Sequence, residues 1–562
     1  MQYKYTVLTN TTLGVIMSSL NMNVVMISLP AIFRGLGINP FAPGEFTYLL
    51  WVLMGYSIVL ATVLVTFGRI SDIYGRARMY TWGFVIFTVA SILLSIIPNG
   101  TGNNGATLLI LFRFVQAIGG GFLMVNSTAL LTDAFPPSER GKALGLNQVA
   151  LIVGMLLGLI AGGLLASYDW HLIFIMSVPF ALAGALWSIY KLDRRYEKKA
   201  MHLDYIGNIT LALGLILASV GFTYVLAPYN NSQLGWANPW VLGAFAAAIL
   251  SIVAFVIIEL RTKDPLFNLR LFKVRPFAFG NLSLLLSSLA RGASMFLIAI
   301  WLQGIYLPLH GIPYNETPLW AGIYMLAMMF GMVIMGPISG WLTDRYGARV
   351  FATTGMVIIA LSLFLLTLLP YNFNALAFES ILFLNGIGNG LFASPNTTSI
   401  MNSLPPKDRG TGNGMRMTLS NIGSSISMAI FFSVTITVFT LNVPGAMYSS
   451  AVQQGIPQST AQLLAQIPPS GLLFGAFLGV DPLAALPKTL ASSLPSSAAK
   501  VLESRTFLPT ILGPSFIQGL RASLYISVFL VIIGAVLSAL RGKRYVYEES
   551  NGITSNTRNS NQ

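Results

Sequence analysis

Long apolar runs separated by short polar pieces set the pattern of this chain. Fourteen of the runs reach the roughly 20 residues that a helix needs to cross about 30 Å of hydrocarbon. They occupy approximately 11–32, 47–68, 79–97, 106–131, 143–166, 171–191, 205–227, 238–259, 277–307, 318–342, 350–369, 375–402, 411–440 and 516–540. Only helices and closed barrels satisfy their backbone hydrogen bonds in lipid. The runs are continuous and lack the period-two alternation of barrel strands, so they predict helices. The first run has no small-x-small cleavage site at its end, which predicts a retained helix and not a removed signal peptide. The chain reads as an all-α integral membrane protein.

Composition agrees with the pattern. Hydrophobic residues make up 55% of the 562, charged residues only 9%, and the mean hydropathy is +0.72. That is too little charge to cover a water-facing surface. A net charge of +14 invites a nucleic-acid reading. The reading fails because the basic residues sit in short runs between apolar segments. The expected partners are the lipid bilayer and a small-molecule solute, with no nucleic acid. Lysine and arginine concentrate on the cytoplasmic side of membrane proteins. With the N-terminus inside, 24 of the 32 fall on the inner side. Arg34, Lys488, Lys500 and Arg505 fall on the outer side, and Arg113, Arg291, Arg416 and Arg521 lie within runs. One missed span would scramble this alternation. The bias therefore supports the span count and predicts cytoplasmic N- and C-termini in the plasma membrane. There is no cysteine, which removes disulfides and thiolate metal sites.

An internal repeat organises the runs. Gly68-Arg-Ile-Ser-Asp72-Ile-Tyr-Gly75 recurs 272 residues later as Gly340-Trp-Leu-Thr-Asp344-Arg-Tyr-Gly347. Ile118-Gly-Gly-Gly121 and Phe135-Pro-Pro-Ser-Glu-Arg-Gly141 recur 269 residues later, as Ile387-Gly-Asn-Gly390 and Leu404-Pro-Pro-Lys-Asp-Arg-Gly410. Three ordered matches predict two parallel six-helix halves, spans 1–6 and 9–14, with two additional central spans between them. Parallel halves place a solute site at their interface near midplane. The expected units are 1–198, 199–262 for the linker spans, 263–545 with an outer insertion 442–515, and a polar, disordered tail 546–562. The insertion is rich in Ser, Ala, Gln and Pro, and its apolar piece Gly471–Val480 is too short to span. It reads either as short amphipathic helices on the outer surface or as a flexible spacer.

These features resemble the major facilitator superfamily over nearly the whole chain, and most closely its fourteen-span drug:proton antiporter branch. Gly68-Arg-Ile-Ser-Asp72-Ile-Tyr-Gly75-Arg76-Ala-Arg78 is similar to the family loop between spans 2 and 3. Trp51 to Tyr56, Arg113 with Gln116 and Gly119–Gly121, Phe135 to Gly145, Trp170 to Pro179 and Pro265 to Phe272 support it. Two places depart. Span 1 reads Leu20-Asn21-Met22-Asn23 where the branch usually has an Asp. Span 5 reads Gly154, Gly158, Gly162 and Gly163 without the usual Gly-Pro. The resemblance implies a major facilitator fold and proton-coupled efflux of drugs or other small amphipathic solutes by alternating access. No cofactor is expected beyond the proton as coupling ion, and the chain is expected to act as a monomer.

Several residues stand out. A charge inside hydrocarbon costs at least about 2.5–3.5 kcal/mol on insertion scales. Arg113 therefore either couples substrate to proton, as the family implies, or snorkels outward; its repeat position, Leu382, carries no charge. Arg291, near the middle of span 9, either faces the central cavity and attracts anionic groups or pairs with a buried carboxylate. Of the 18 acidic residues only Glu379 lies clearly inside a span, with Asp133 and Glu259 at span ends. Glu379 is the leading proton carrier if a carboxylate carries the proton, and otherwise an interfacial ionised group. Asn21, Asn23, Tyr56, Gln116, Asn126, Gln303 and Asn385 are polar groups within spans that either line the solute path or bond helix to helix. Gly68, Asp72, Gly75 and Arg76, with Gly340, Asp344 and Gly347, form loops that either latch the halves or set the turn. Asp72 there can cap a neighbouring helix or pair with a nearby arginine. Gly154, Gly158, Gly162 and Gly163 let helices approach closely.

No Gly-x-Ser-x-Gly, His-Glu-x-x-His or Walker A motif is present, and His171, His202 and His310 fall at span edges. An enzyme, a metal site and a self-contained ATP pump are not expected. The second reading is a transporter of organic anions, or a uniporter, motivated by Arg113 and Arg291.

Overall fold

A computed structural model of the chain describes residues 3–42, 44–192, 204–230, 232, 234–262, 265, 267–405, 409–487, 490, 492 and 494–542. The expected tail 546–562 and the boundary near 198 lie outside these. Among the described residues fourteen helices are long and apolar enough to cross a membrane, matching the fourteen predicted runs. They are α1 (Tyr3–Leu36), α2 (Phe46–Tyr74), α3 (Arg76–Ser95), α4 (Gly102–Ala134), α5 (Pro137–Ala166), α6 (Leu172–Lys191), α7 (Tyr205–Val225), α8 (Pro239–Arg261), α9 (Arg275–Leu309), α10 (Thr317–Tyr346), α11 (Ala348–Leu368), α12 (Ala375–Asn402), α13 (Arg409–Gln453) and α16 (Phe507–Leu540). Two short helices, α14 (Gln458–Gln466) and α15 (Pro469–Leu478), lie between the last two spans.

Most helices extend beyond their apolar runs because polar residues at each end continue the turn. Gly75 and Gly347 stop α2 and α10 at φ +98 and +85°, a region that side-chain-bearing residues rarely adopt. Each donates its amide to the carbonyl four residues back, Ser71 and Thr343, at 2.9 Å. The two repeat loops thus share one turn, as their sequences predict.

The repeat is also a repeat of packing. A methyl group on Gly154 would meet Ser19 and the Ile16 carbonyl, and one on Gly423 would meet Ser288 and the Leu285 carbonyl. All three pairs of positions keep the offset of 269. Gly83 against Gly119 is matched by Gly355 against Gly388. Close approach of small residues is what holds helices together where lipid supplies no hydrophobic drive. In the most apolar window of α1, 89% of residues are buried inside the protein, against 17% in α8. The first helix is therefore central to its half and the eighth peripheral. The two additional spans pair with each other, and α7 rests against α2 and α13, beside the seam between the halves.

The halves meet along two seams, α2 with α13 and α5 with α10. The described ends, Tyr3 and Gly542, lie at one end of the bundle, and the described residues between α13 and α16 lie at the other, the insertion end. The seam is tight there. A methyl group on Gly163 would sit 2.5 Å from the Leu319 Cα, and one on Gly322 would sit 2.8 Å from the Leu159 carbonyl oxygen. Gln303 donates to the Ile27 carbonyl at 3.3 Å and Arg34 to the Tyr314 carbonyl at 3.3 Å, both from half to half.

The insertion differs from both expectations for 442–515. Helix α13 runs on to Gln453 and α16 starts at Phe507, so each extends into the segment. Between them α14 and α15 meet at 95°. Every residue of α15 is buried. It does not lie on the surface, because all its residues but Ser470 are apolar and it has protein on every side: the loop after α1, and α13, α16 and α9. Opposite α15, α9 carries a π-helical turn, Leu302–Tyr306, where Gly304 leaves 3.2 Å between a would-be methyl group and the Phe477 Cα. Such turns are rare and often occur at functional sites.

Candidate transport site

Arg113 of α4 is 1% exposed and does not reach solvent, so the snorkelling reading fails. Its Nη1 donates to Asn21 Oδ1 from α1 and to Gln116 Oε1, the latter at 2.8 Å. Gln116, one turn further on, donates to Ser91 Oγ of α3 at 2.9 Å. The guanidinium lies over the Tyr56 ring of α2, 4.3 Å from its centroid. A cation stacked on an aromatic face is held by the ring quadrupole. Four helices thus converge on one charge, and none of them brings a carboxylate. Arg113 Nε, Asn21 Nδ2 and the Tyr56 hydroxyl are buried without a hydrogen-bond partner. Each orphaned group costs about 1–3 kcal/mol, and all three can donate to an acceptor.

The equivalent place in the second half is empty. A cavity of about 20 Å³ is lined by Arg291, Ser294, Met328, Leu382, Asn385 and Asn389, among others. On the repeat offsets, Leu382 stands for Arg113, Asn385 for Gln116 and Met328 for Tyr56. Asn385 donates to Ser362 Oγ at 2.8 Å, as Gln116 does to Ser91. The arginine of this half, Arg291, comes instead from the α9 position that matches Met22. It pairs with no carboxylate among the described residues, which removes the buried-pair reading.

The remaining path candidates separate. Asn23 donates to the Met155 carbonyl of α5 at 3.4 Å and Asn126 to its own helix at Phe122, 2.9 Å. Both bond helix backbone. Gln303 ties the halves at the insertion end. Glu379 is half-buried in α12, beside Phe378 in a cluster that includes Tyr306, Tyr324 and Phe373. The structure brings Glu379 neither to Arg113 nor to the Arg291 cavity.

At the other end of the bundle Asp72 does not cap α3. It accepts from Arg76 Nε at 2.8 Å, and Arg76 Nη1 reaches Asp133 of α4 at 2.8 Å. These bonds stay within the first half, while Arg69 of the same motif donates to the Pro265 carbonyl of the second. Gly340 packs near Ser394 of α12, and the side chain of Asp344 lies outside the described residues. Gly154, Gly158 and Gly162 all face α1, at Ile16, Leu20 and Val24, whereas Gly163 faces the opposite half. Sequence reasoning missed Ser91, Ser362, Asn389 and the vacancy at Leu382. The repeat register held the signal for the last of these, since Arg113 and Tyr56 align with smaller or uncharged residues.

A sequence profile of the Major Facilitator Superfamily matches residues 11–428. The multidrug transporter protein MdtP of Bacillus subtilis is 25% identical over 552 residues, covering 96% of this chain and 93% of its own length. The riboflavin transporter RibZ of Clostridioides difficile is 29% identical over 455 residues, 80% of this chain and 92% of its own. The tetracenomycin C resistance and export protein of Streptomyces glaucescens is 24% identical, covering 83% of each. Among solved structures, a bacterial homolog of the human lysosomal transporter Spinster, inward-facing and unoccupied, shares the fold with a TM-score of 0.53 at 16% identity, over 98% of this chain and 99% of that one.

Proposed function

Because this chain belongs to the major facilitator superfamily, a family of membrane transporters and not of enzymes, we propose that it exports small amphipathic solutes from the cytoplasm by alternating access, with a proton as coupling ion. The observation that carries the solute reading is the Arg113 cluster. It offers three unfilled polar groups, deep in a bundle whose seam is packed at the insertion end. Apolar surroundings with a few convergent polar groups are the usual form of a small-molecule site. The name of the tetracenomycin C resistance and export protein supports export. The lysine and arginine bias supports cytoplasmic termini in the plasma membrane, so the insertion end faces outward. One chain contains both halves, which supports a monomer. Release to the outside then requires α15 to leave its seat between the halves. Arg113 and Arg291 couple solute to conformation, and Glu379 carries the proton.

The second reading, transport of organic anions without proton coupling, is favoured by one observation: neither mid-span arginine has a carboxylate partner among the described residues.

Purified chain in vesicles with imposed pH and voltage gradients tests both. An outside-acidic gradient should accelerate export, and Glu379→Gln should lose that acceleration while keeping solute exchange. Unchanged acceleration in the variant removes Glu379 as carrier, and no acceleration in the native chain removes proton coupling. A cysteine at the exposed Ser459, labelled only from the cytoplasm, would reverse the orientation.

A further inference from the structure

The arginines within the spans are not alike. Arg113 donates to Asn21 and Gln116, Arg416 to Asn413 and Thr397, and Arg521 to the carbonyls of Thr367 and Leu369 at the end of α11. Arg291 lines a cavity and has no hydrogen bond or ion pair among the described residues. The other side-chain donors in that lining are committed. Asn385 donates to Ser362, Asn389 to Asn385 at 2.9 Å, and Ser294 to the Ala290 carbonyl at 2.6 Å. The rest of the wall is methionine, leucine and isoleucine. A guanidinium has five N–H donors and no acceptor. The guanidinium therefore keeps donors and a charge that no group of the lining receives, and the charge favours an anionic partner.

Size narrows the ligand. The cavity measures about 20 Å³, and a single water needs roughly 10–15 Å³ on the same measure together with two to four polar partners. A water finds polar partners in Ser294, Asn385 and Asn389 but brings no charge to balance the guanidinium. The space admits a terminal group of a few atoms and no ring. In the first half the matching volume is occupied by the guanidinium of Arg113 and the phenol of Tyr56.

We propose that the Arg291 cavity is a subsite for a compact monoanion, filled by the carboxylate end of the transported solute. The inference rests on the exporter reading for its solute and deepens it: the chain prefers amphipathic carboxylates over their neutral isosteres. A halide ion shares the chemistry and would use the same cavity.

The test uses the full-length chain in lipid nanodiscs and two probes, a fluorescent aromatic carboxylate and its carboxamide, in sulfate buffer with and without chloride. The native chain should bind the carboxylate about tenfold or more tightly than the carboxamide. Arg291→Gln should abolish that preference, and an unchanged melting temperature shows that the variant is folded. Leu382→Phe, which fills the cavity and keeps the charge, should lose the same preference, and it decides the question if Arg291→Gln does not fold. Competition by chloride in the native chain, absent in Arg291→Gln, would show a halide using the subsite and supports it. No preference in the native chain, or equal loss of both probes in Arg291→Gln with preference retained in Leu382→Phe, overturns the proposal. Arg291-dependent carboxylate binding in a chain that exports nothing keeps the subsite and removes the exporter reading. Export of neutral solutes without any carboxylate preference does the reverse.

Discussion

Gly471 rests on the backbone beside Phe41: a methyl group there would lie 3.4 Å from the Phe41 Cα and 2.9 Å from the Pro40 carbonyl oxygen. One turn later the Phe41 ring covers Gly475, where a methyl group would meet it at 2.5 Å. Helix α15 is thereby fastened to the first half, while Phe477 meets the ring of Phe296 in the second, 6.3 Å between centroids. If the insertion end must part for release, this fastening must break in every cycle. The Cα atoms of residues 41 and 471 are close enough for a disulfide, which needs roughly 4.4–6.8 Å. Phe41→Cys with Gly471→Cys should therefore stop net transport under oxidation and regain it with reductant, each single variant transporting throughout. The chain has no cysteine of its own to confuse the result. Undiminished transport by the oxidised pair would show that α15 stays seated.

The Arg113 cluster makes a second prediction. Arg113→Ala leaves the amides of Asn21 and Gln116 and the Tyr56 face without their shared partner. The truncation also removes the cost of a charge at depth, at least about 2.5–3.5 kcal/mol, so insertion should be undiminished. Transport should fall by at least about a hundredfold, equivalent to about 2.7 kcal/mol. Arg113→Lys should rescue only part, since an ammonium cannot fork to two amides and stack on a ring at once. Transport assays at matched membrane abundance decide it. Near-normal transport in Arg113→Ala would reduce the cluster to a packing device.

The fold was legible because each span needs about 20 apolar residues and the repeat announces itself in three motifs. The partners of Arg113 were not, since Asn21 lies 92 residues away and the bond depends on how α1 leans on α4. Helix α15 was misread for a related reason. Ten apolar residues are too few to span lipid, and nothing local distinguishes burial in protein from a place on a surface. Glu379 was singled out as a rare carboxylate, but depth along a helix says nothing of which neighbours surround it. The vacancy beside Arg291 could have been read from the register, by noticing that Leu382 and Met328 replace Arg113 and Tyr56.

The loop at the end carrying the termini predicts a rate effect without a stability effect. Asp72, Arg76 and Asp133 are joined at 2.8 Å, yet their side chains are 32, 33 and 55% exposed. Exposed pairs contribute about 0–1 kcal/mol. Asp72→Asn should thus shift the melting temperature by no more than a few degrees. It should nonetheless slow exchange between inward- and outward-open states if the loop re-pairs with the opposite half when that end closes. Distance measurements between labels on the two halves, with and without solute, report that exchange. A variant that loses solute affinity at an unchanged exchange rate would contradict the latch.

The packing glycines give the last prediction. Gly158 faces α1 so closely that a methyl group would lie 2.5 Å from the Leu20 carbonyl oxygen and 3.2 Å from the Asn23 Cβ. The nearest atom is backbone, which cannot rotate aside. Overpacking of this kind costs about 1–3 kcal/mol. It must push α1 and α5 apart, and α1 also carries Asn21. Gly158→Ala should therefore lower the melting temperature and weaken transport together. Gly243 of α8 and Gly336 of α10 supply the control, since a methyl group at either meets nothing within 4 Å. Alanine is the better helix former by about 0.8–1.0 kcal/mol, so both control variants should melt at or above the native temperature with transport intact. Thermal unfolding of purified protein in a single detergent measures all three. A Gly158→Ala variant as stable as the controls would mean that α1 and α5 approach less closely than 2.5 Å implies. In that case Gly154, Gly158 and Gly162 would owe their spacing to something other than contact with α1.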